Sequence, residues 1–358
     1  MTGVAIVGCG NISHRYLTNL AALPELRVVA CADLDVDRAR AVAKEYGVPV
    51  AGEVSQVIDH PDVEIVVNLT VPAAHASVAM AAVEAGRHVY NEKPLTLDPA
   101  TARTLLTAAE RAGVRVGCAP DTFLGAGLQT VARAIAAGDI GRPLSAITLL
   151  QGPGPEGWHP SPEFFFKPGA GPLFDMGPYY LTALAVLFGP VTRVAANGSK
   201  AHARRTVGSG PLAGTVFDVE VLTHVSALLE FAGGQRATTV FSFDSPLARG
   251  AFLELTGTEA TLAAPDPNNF TGPVRLRRTG APDWSELPVS GTTAGRGIGV
   301  LEMARAIAAG RPHRASGELA LHVVEVMTAI LQSADEARFV PVTSTFVPPE
   351  VWEDHPAE

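Results

Sequence analysis

The chain has 358 residues, a formal net charge of −9 and 47% hydrophobic residues. This length predicts two domains, and the apolar content excludes a disordered chain. The acidic balance argues against a nucleic-acid partner, which needs a positively charged surface.

Five short apolar runs alternate with helical patterns as far as residue 122. The runs cover residues 4–7, 26–32, 65–69, 88–90 and 114–118. The helical patterns cover residues 12–23, 37–46, 73–85 and 99–112. Apolar strands separated by helices predict a parallel sheet covered on both faces, and right-handed crossovers make it doubly wound. We therefore predict an N-terminal Rossmann domain over residues 1–122.

The pattern changes after residue 122. A helix (124–137), a strand (144–150), a Gly/Pro-rich loop (151–171) and a helix (174–188) precede a region rich in β patterns (191–276). Alternating strands are predicted at 219–225, 226–231 and 238–243, with Gly233-Gly234 as a hairpin turn between the last two. Helices at 299–309 and 319–334 follow. Residues 123–358 thus read as an α+β domain with a mostly antiparallel sheet.

A glycine motif predicts a dinucleotide site. Gly8-Cys9-Gly10 follows the first predicted strand and opens the first helix, whose N–H groups and dipole suit a pyrophosphate. Ser13 stands in place of the usual third glycine, and a small residue there still permits close packing. A Gly-x-Gly turn alone can also be a plain helix cap, but strand, turn and helix occur here in the required order.

An acidic residue in the expected place supports this interpretation. Asp33 ends the second predicted strand, twenty residues after Ser13. Its carboxylate can bind the hydroxyls of an adenosine ribose and repels a 2′-phosphate, which favours NAD over NADP. The alternative is a loop carboxylate or helix cap, for which Asp35 and Asp37 are better placed. Arg38 keeps NADP open, because a nearby arginine can accept the phosphate.

Two further segments carry groups suited to chemistry. Lys93, in Asn91-Glu92-Lys93-Pro94, follows the fourth strand at the edge where open α/β sheets bind ligands, although a lysine can also be a mere surface charge. Asp175 and Tyr179 are four residues apart and share one helix face. They can anchor a hydroxyl and exchange a proton, or serve only as a helix cap and a core aromatic.

Together these motifs resemble the Gfo/Idh/MocA family of oxidoreductases. The resemblance rests on Gly8-x-Gly10 with Ile12, on Glu92-Lys93-Pro94 and on Asp175-x-Gly177-x-Tyr179, and it covers essentially the whole chain. It implies a Rossmann domain followed by a domain with a large open sheet. It also implies nicotinamide-dependent chemistry on sugars or polyols, and a homodimer or homotetramer formed through that sheet.

The resemblance also implies roles for individual residues. Asp33 would hold the adenosine ribose, Glu92 the nicotinamide ribose, and Lys93 would be catalytic beside Asp175. Tyr179 stands where many inositol-type members have histidine, so inositol itself is disfavoured, and either Tyr179 or Asp175 handles the proton. The remaining cofactor-binding positions are Gly8, Gly10, Asn11 and Ile12 at the pyrophosphate, and Leu69, Thr70, Pro72 and His75 along the nicotinamide half.

Three other residues are candidate substrate ligands. Asp121 follows the fifth strand and can bind a sugar hydroxyl or cap a helix. Trp158 and His159 lie in the long loop before the Asp175 helix, where they can cover a sugar or simply anchor the loop. No residue spacing resembles a metal site, and we expect none.

The leading hypothesis is a dehydrogenase or ketoreductase that transfers a hydride between a nicotinamide cofactor and a sugar, glycoside or polyol. One alternative is an enzyme that keeps NAD bound and uses transient oxidation for elimination or glycosidic cleavage. Another is a non-catalytic NAD(P)-sensing regulator.

The sequence also bears on the protein's location. No uninterrupted apolar run is long enough to cross a bilayer, and the first residues carry no basic region. We therefore expect no membrane segment and no signal peptide. The odd count of three cysteines favours reduced thiols and a cytoplasmic protein.

Overall fold

The computed structural model describes residues 1–352, which contain nine α-helices and seventeen strands. As far as residue 125 the elements are β1 (Thr2–Val7), α1 (Asn11–Ala21), β2 (Leu26–Ala32), α2 (Val36–Tyr46), β3 (Val50–Gly52), α3 (Val54–Ile58), β4 (Ile65–Asn68), α4 (Pro72–Glu84), β5 (His88–Asn91), α5 (Pro99–Ala112) and β6 (Val116–Cys118). Then follow α6 (Ala126–Ala136), β7 (Pro143–Gln151), α7 (Gly171–Phe188), β8 (Val191–Ser199), β9 (Arg204–Thr206), β10 (Val216–Asp218), β11 (His224–Phe231), β12 (Arg236–Ser242), β13 (Arg249–Gly257), β14 (Ala260–Ala264), β15 (Val274–Arg278) and β16 (Ser285–Leu287). The last elements are α8 (Ile298–Ala308), α9 (Gly317–Glu336) and β17 (Val340–Pro341).

The first compact unit consists of Met1–Gly125 and Thr293–Val324. Its sheet has the order β3-β2-β1-β4-β5-β6, and every neighbouring pair is parallel. This is the predicted Rossmann arrangement, and its strands are almost wholly buried because helices cover both faces. Parallel pairing brings the carboxyl ends of all six strands to one edge of the sheet, which positions the candidate site.

The structure adds two features to the predicted first domain. The sheet has a sixth strand, β3, followed by the short helix α3. The chain also returns to this unit at residue 293, outside the predicted range of 1–122. In the returning segment Ser316 forms an antiparallel bridge with Gly117, and the N–H of Cys118 donates to the carbonyl of Ala315 at 3.0 Å. The free edge of β6 is thereby partly covered.

The second unit consists of Ala126–Thr292 and Glu325–Glu358, of which residues 353–358 lie outside the described range. It contains a nine-stranded sheet of order β16-β15-β14-β13-β7-β12-β11-β8-β17. Only the β7–β12 pair is parallel, so the predicted mostly antiparallel sheet is confirmed. Helix α7 packs against β7, β11 and β12 and covers one face of the sheet.

The β-rich region matches the prediction in part. β11 and β12 form the predicted hairpin, and the N–H of Gly234 donates to the carbonyl of Phe231 at 2.9 Å. The predicted strand at 219–225 is wrong, because residues 219–223 are irregular and β11 starts at His224. Val219 is buried for another reason: it joins a small core with Phe166, Phe217 and other residues beside the two-stranded sheet β9–β10.

Candidate active site

The glycine loop after β1 is pressed against the loop after β4. Gly8 has a φ of +99°, which favours glycine. A Cβ on Gly8 would lie 2.7 Å from the carbonyl carbon and oxygen of Leu69. The Gly8 N–H donates to the carbonyl of Ala32 at 2.8 Å, which also ties the loop to β2. Only glycine therefore fits here without moving the backbone.

Helix α1 presents an N-terminus suited to an anion. Its N-cap residue, Gly10, supplies no capping side chain, and a Cβ built on Gly10 meets nothing within 4 Å. The first turn, which begins at Asn11 and Ile12, carries no acidic residue. Ser13 is buried, and its hydroxyl donates to the carbonyl of Gly10 at 2.6 Å. The open space and the uncapped N–H groups fit the pyrophosphate of a dinucleotide.

Asp33 is held rigidly at the end of β2. One carboxylate oxygen accepts from the N–H of Cys9 at 2.8 Å, and the other accepts from the N–H of Asp35 at 2.9 Å. Arg38 lies 3.5 Å from Asp33 and 3.4 Å from Asp35. Asp35 is the N-cap of α2, so the capping role falls to Asp35, and the ribose-binding role of Asp33 stays a prediction. Asp33 also neutralises the arginine that would otherwise favour a 2′-phosphate.

Two apolar residues at this edge were missed by the sequence analysis. Leu34, directly after Asp33, is 98% exposed, and Val71, just before α4, is 67% exposed. Such side chains are available to cover the flat apolar face of an adenine ring. The sequence offered no signal, because Leu and Val beside buried strands read as core residues.

A buried amide network joins the carboxyl ends of β4 and β5. Asn68 donates to Asn91 Oδ1 at 2.9 Å and to the carbonyl of His75 at 3.0 Å. The Asn68 oxygen accepts from the Thr70 hydroxyl at 2.7 Å. Both asparagines are fully buried. The predicted nicotinamide segment includes Leu69, next to Asn68, and Pro72 at the start of α4. These hydrogen bonds therefore hold its backbone in place.

His75 packs against this segment from the protein interior. It is 1% exposed, and its Nδ1 and Nε2 face the carbonyl oxygens of Pro94 (2.6 Å) and Thr70 (3.0 Å). Burial lowers the pKa of His75, so the ring is neutral and donates from one nitrogen only. The shorter distance favours Nδ1 as the donor. The ring is buried and both nitrogens face protein carbonyls, and contact of His75 with the cofactor stays a prediction.

Glu92 and Lys93 follow β5. Glu92 is 8% exposed; its Oε1 accepts from the hydroxyl of Tyr16 at 2.8 Å, and its Oε2 accepts from the N–H of Lys93 at 2.9 Å. The Lys93–Pro94 peptide bond is cis, and Lys93 is half-buried. Tyr16 was not among the predicted site residues, because a tyrosine on the buried face of α1 reads as core.

Asp121 takes the second of its two predicted roles, that of a helix cap. Its carboxylate is 1% exposed and accepts from the N–H groups of Gly297 (2.8 Å) and Gly299 (3.0 Å) at the start of α8. Burial raises the pKa of Asp121 to about 6. Contact of Asp121 with a sugar hydroxyl, the other predicted role, stays a prediction. The helix it caps belongs to the returning segment, not to the next helix in the chain.

In the second unit, Asp175 and Tyr179 lie on α7. The N-cap of this helix is Ala170, so Asp175 is not the cap. Asp175 is half-buried and Tyr179 is 6% exposed. Pro178 lies between them and leaves the carbonyl of Phe174 without its usual helical partner. The encounter of these side chains with Lys93 remains a prediction.

The loop before α7 is anchored by a buried arginine. Arg205 pairs with Glu156 and with Asp244, and it lies over the ring of Phe166 at 5.1 Å. Trp158, at the outer part of this loop, is 68% exposed.

His159 fixes that outer part. Its ring contacts Trp158, Phe164 and Phe165 edge-on at 5.3–5.5 Å, and its Nδ1 accepts from the N–H of Ser161. His159 therefore anchors the loop, whereas Trp158 offers a free indole face that can cover a ligand.

The chain matches two profiles of one family. Residues 2–119 match an oxidoreductase family with an NAD-binding Rossmann fold, and residues 128–263 match the Gfo/Idh/MocA C-terminal domain. The chain belongs to the Gfo/Idh/MocA family. The predicted family and its cofactor, NAD, are thereby confirmed. Among residues 1–352, no helix is long and apolar enough to cross a membrane.

Several known proteins are similar over most of the chain. An uncharacterized oxidoreductase of Rhizobium meliloti is 28% identical over 93% of this chain and 97% of its own. D-apiose dehydrogenase of Paraburkholderia graminis is 28% identical over 72% of this chain and 66% of its own. The structure of a levoglucosan dehydrogenase with NADH and L-sorbose shares the fold, with a TM-score of 0.82, 21% identity and coverage of 96% of this chain and 99% of its own.

Proposed function

We propose that this oxidoreductase interconverts a hydroxyl and a ketone of a sugar, glycoside or polyol, with NAD as the hydride carrier. The observation that carries the proposal is the placement of Lys93 on the sheet edge that also holds the glycine loop, with its backbone fixed by Glu92. The names of relatives support the substrate class, since they include an apiose, an inositol and a levoglucosan dehydrogenase.

In this mechanism Lys93 donates a hydrogen bond to the carbinol oxygen and orients it. Tyr179 or Asp175 takes the hydroxyl proton during oxidation and returns it during reduction. When bound, the cofactor would supply the hydride chemistry, with NAD⁺ as the acceptor during oxidation and NADH as the donor during reduction. Trp158 covers the sugar. Asp33 selects the unphosphorylated ribose and so favours NAD over NADP.

The test is a panel of sugars, glycosides and polyols, assayed with NAD and NADP separately by the absorbance of the reduced nicotinamide. We expect Lys93→Ala to abolish turnover while the dissociation constant for NADH stays within about threefold of wild type. Tyr179→Phe and Asp175→Asn identify the proton carrier by which one removes the pH dependence of kcat.

Each alternative has its own outcome with this panel. Conversion of a substrate without added NAD, followed by chromatography because no reduced nicotinamide accumulates, indicates a permanently bound cofactor that serves elimination or glycosidic cleavage. A complete lack of hydride transfer with every substrate indicates a sensing role. Full activity of Lys93→Ala would contradict the mechanism.

We further propose that the protein is a homodimer or homotetramer formed through the open face of the nine-stranded sheet. Leu228 and Ile147 lie in one cross-strand row, on either side of Thr238, and are 52% and 54% exposed. Phe252 and Leu149 pair in the adjacent row, and Phe252 is 37% exposed. Such a contiguous apolar face suits a second copy.

Light scattering measures the molar mass and tests the assembly. Leu228→Glu should yield a monomer, whereas Leu212→Glu, a change at an exposed leucine outside the named strands, should leave the assembly intact. An unchanged mass for Leu228→Glu would contradict this interface. Because the three cysteines are free and buried, we also propose a reducing compartment, the cytoplasm.

A further inference from the structure

Tyr16 connects the helix of the dinucleotide site to the backbone of Lys93. Its hydroxyl donates to Glu92 Oε1 at 2.8 Å, while the Lys93 N–H donates to Glu92 Oε2 at 2.9 Å. Tyr16 is fully buried and Glu92 is 8% exposed. The two oxygens of one buried carboxylate therefore join α1 to the loop that carries Lys93.

The phenol hydroxyl has a specific use at this position. Leu17 and Leu20 occupy the other large buried positions of α1, so an apolar residue could serve for packing alone. A buried carboxylate, in contrast, needs a hydrogen-bond donor, and charged pairs give the stronger bonds. Burial raises the pKa of Tyr16 well above its ordinary value, and the Glu92 charge raises it further, so Tyr16 stays protonated and acts as a donor.

The connection runs through both ends of the cofactor site. Helix α1 starts at Asn11, where the uncapped N–H groups suit the pyrophosphate, and Tyr16 lies between one and two turns further along the same helix. Glu92 precedes Lys93 directly. The two hydrogen bonds of Glu92 therefore link α1 to the Lys93 backbone.

We propose that Tyr16 is a positioning residue, which holds the Glu92 carboxylate in one orientation and so couples the dinucleotide site to Lys93. The coupling to catalysis rests on the proposed role of Lys93. The orientation of Glu92 and its effect on NADH affinity do not depend on that role, because NAD binding is a property of the family fold.

The decisive experiment is a double-mutant cycle with Tyr16→Phe and Glu92→Gln, with the dissociation constant for NADH measured by fluorescence titration. Tyr16→Phe keeps the ring and removes only the hydroxyl. We expect about tenfold weaker NADH binding, which is the low end for a hydrogen bond to a charged group. If Tyr16 acts through Glu92, the double variant binds no more weakly than Glu92→Gln alone.

Tyr90→Phe is the matched control. Tyr90 is also fully buried in this unit, but its hydroxyl has no hydrogen-bond partner among the described residues. We expect this variant to bind NADH and to turn over like wild type, with a similar melting temperature. If Tyr16→Phe does not fold, Glu92→Gln alone still tests the link from its other end, since it keeps the side-chain shape and removes the charge that Tyr16 pairs with.

The outcomes separate this inference from the proposed function. Additive losses in NADH affinity, or a Tyr16→Phe variant that matches wild type, overturn the positioning role. If no sugar is turned over but the cycle is non-additive in NADH affinity, the proposed substrate class fails while Tyr16 keeps its role toward Glu92. When turnover is found, Tyr16→Phe should lower kcat about tenfold while the KM for the sugar stays within about twofold.

Discussion

The buried carboxylate of Asp121 makes the stability of the first unit depend on pH. Burial, aided by the nearby charge of Glu92, raises the pKa of Asp121 from 3.8 to about 6, and the N–H groups of Gly297 and Gly299 offset this only in part. In the unfolded chain the carboxyl ionises near 3.8. The folded state therefore binds the proton more tightly, and the protonated carboxyl stabilises the fold. This stabilisation is complete below about pH 4 and is lost as the pH rises through about 6. The loss amounts to about 3 kcal/mol.

Asp121→Asn tests this reasoning directly. The amide oxygen still accepts from both N–H groups, but the side chain cannot ionise. We expect the unfolding free energy of the variant, relative to wild type, to rise by about 3 kcal/mol between about pH 4 and pH 7. Urea denaturation followed by circular dichroism at several pH values measures it. If the amide lowers the unfolding free energy by a constant amount, the plot of the free-energy difference against pH shifts as a whole and its slope is unchanged.

Asp98→Asn is the matched control, because Asp98 also caps a helix but is exposed. Hydrogen bonds from the hydroxyl and N–H of Thr101 lower the pKa of Asp98, so its stabilisation is present above the unfolded value and lost as the pH falls. The relative stability of this variant should thus fall as the pH rises through the acid range. A difference between Asp121→Asn and wild type that stays flat from about pH 4 to pH 7 would refute the argument.

Four further variants test residues in and around the candidate cofactor site. Asp33→Asn should lower kcat/KM with NAD about 10- to 100-fold and shift preference toward NADP; an unchanged ratio of the two cofactors would contradict the ribose role. Gly8→Ala should destabilise the protein by about 1–3 kcal/mol, because its Cβ meets backbone atoms. Gly10→Ala, whose Cβ points into open space, should keep the melting temperature but weaken NADH binding; equal melting temperatures for both glycine variants would contradict this. His75→Ala should cost about 2–4 kcal/mol in urea denaturation, because it removes the donor to the buried Pro94 carbonyl and leaves a cavity; a loss under about 0.5 kcal/mol would show that the ring is not needed there.

The Rossmann sheet was predictable because its physics is local. Each parallel strand is buried on both faces and so reads as a continuous apolar run, and each helix carries its own termination signals. The predicted helix at 99–112 matches α5 at both ends, since Asp98 caps its start and Gly113, at a φ of +68°, ends it. The predicted strand at 26–32 likewise matches β2.

Pattern analysis failed for very short elements and for residues that are buried outside a sheet. β3 and α3 have three and five residues, too few for any periodicity to emerge. The apolar alternation at 219–225 was misleading because its first residues serve the small core around Phe166, while only its end belongs to β11. An apolar pattern predicts that side chains are buried, but it does not predict which part of the structure they pack against.

Hydrogen bonds between distant residues set the chemistry of this site and lie beyond any sequence pattern. Tyr16 and Glu92 are 76 residues apart, and Asp121 and Gly297 are 176 apart. The Glu92-Lys93-Pro94 motif is enough to place Glu92 at the edge of the sheet, because it directly follows β5. The hydrogen-bond donor to the Glu92 carboxylate depends on which side chain of α1 lies next to that edge. A helical pattern predicts only that the Tyr16 ring faces inward, so the use of its hydroxyl had to come from the packed structure.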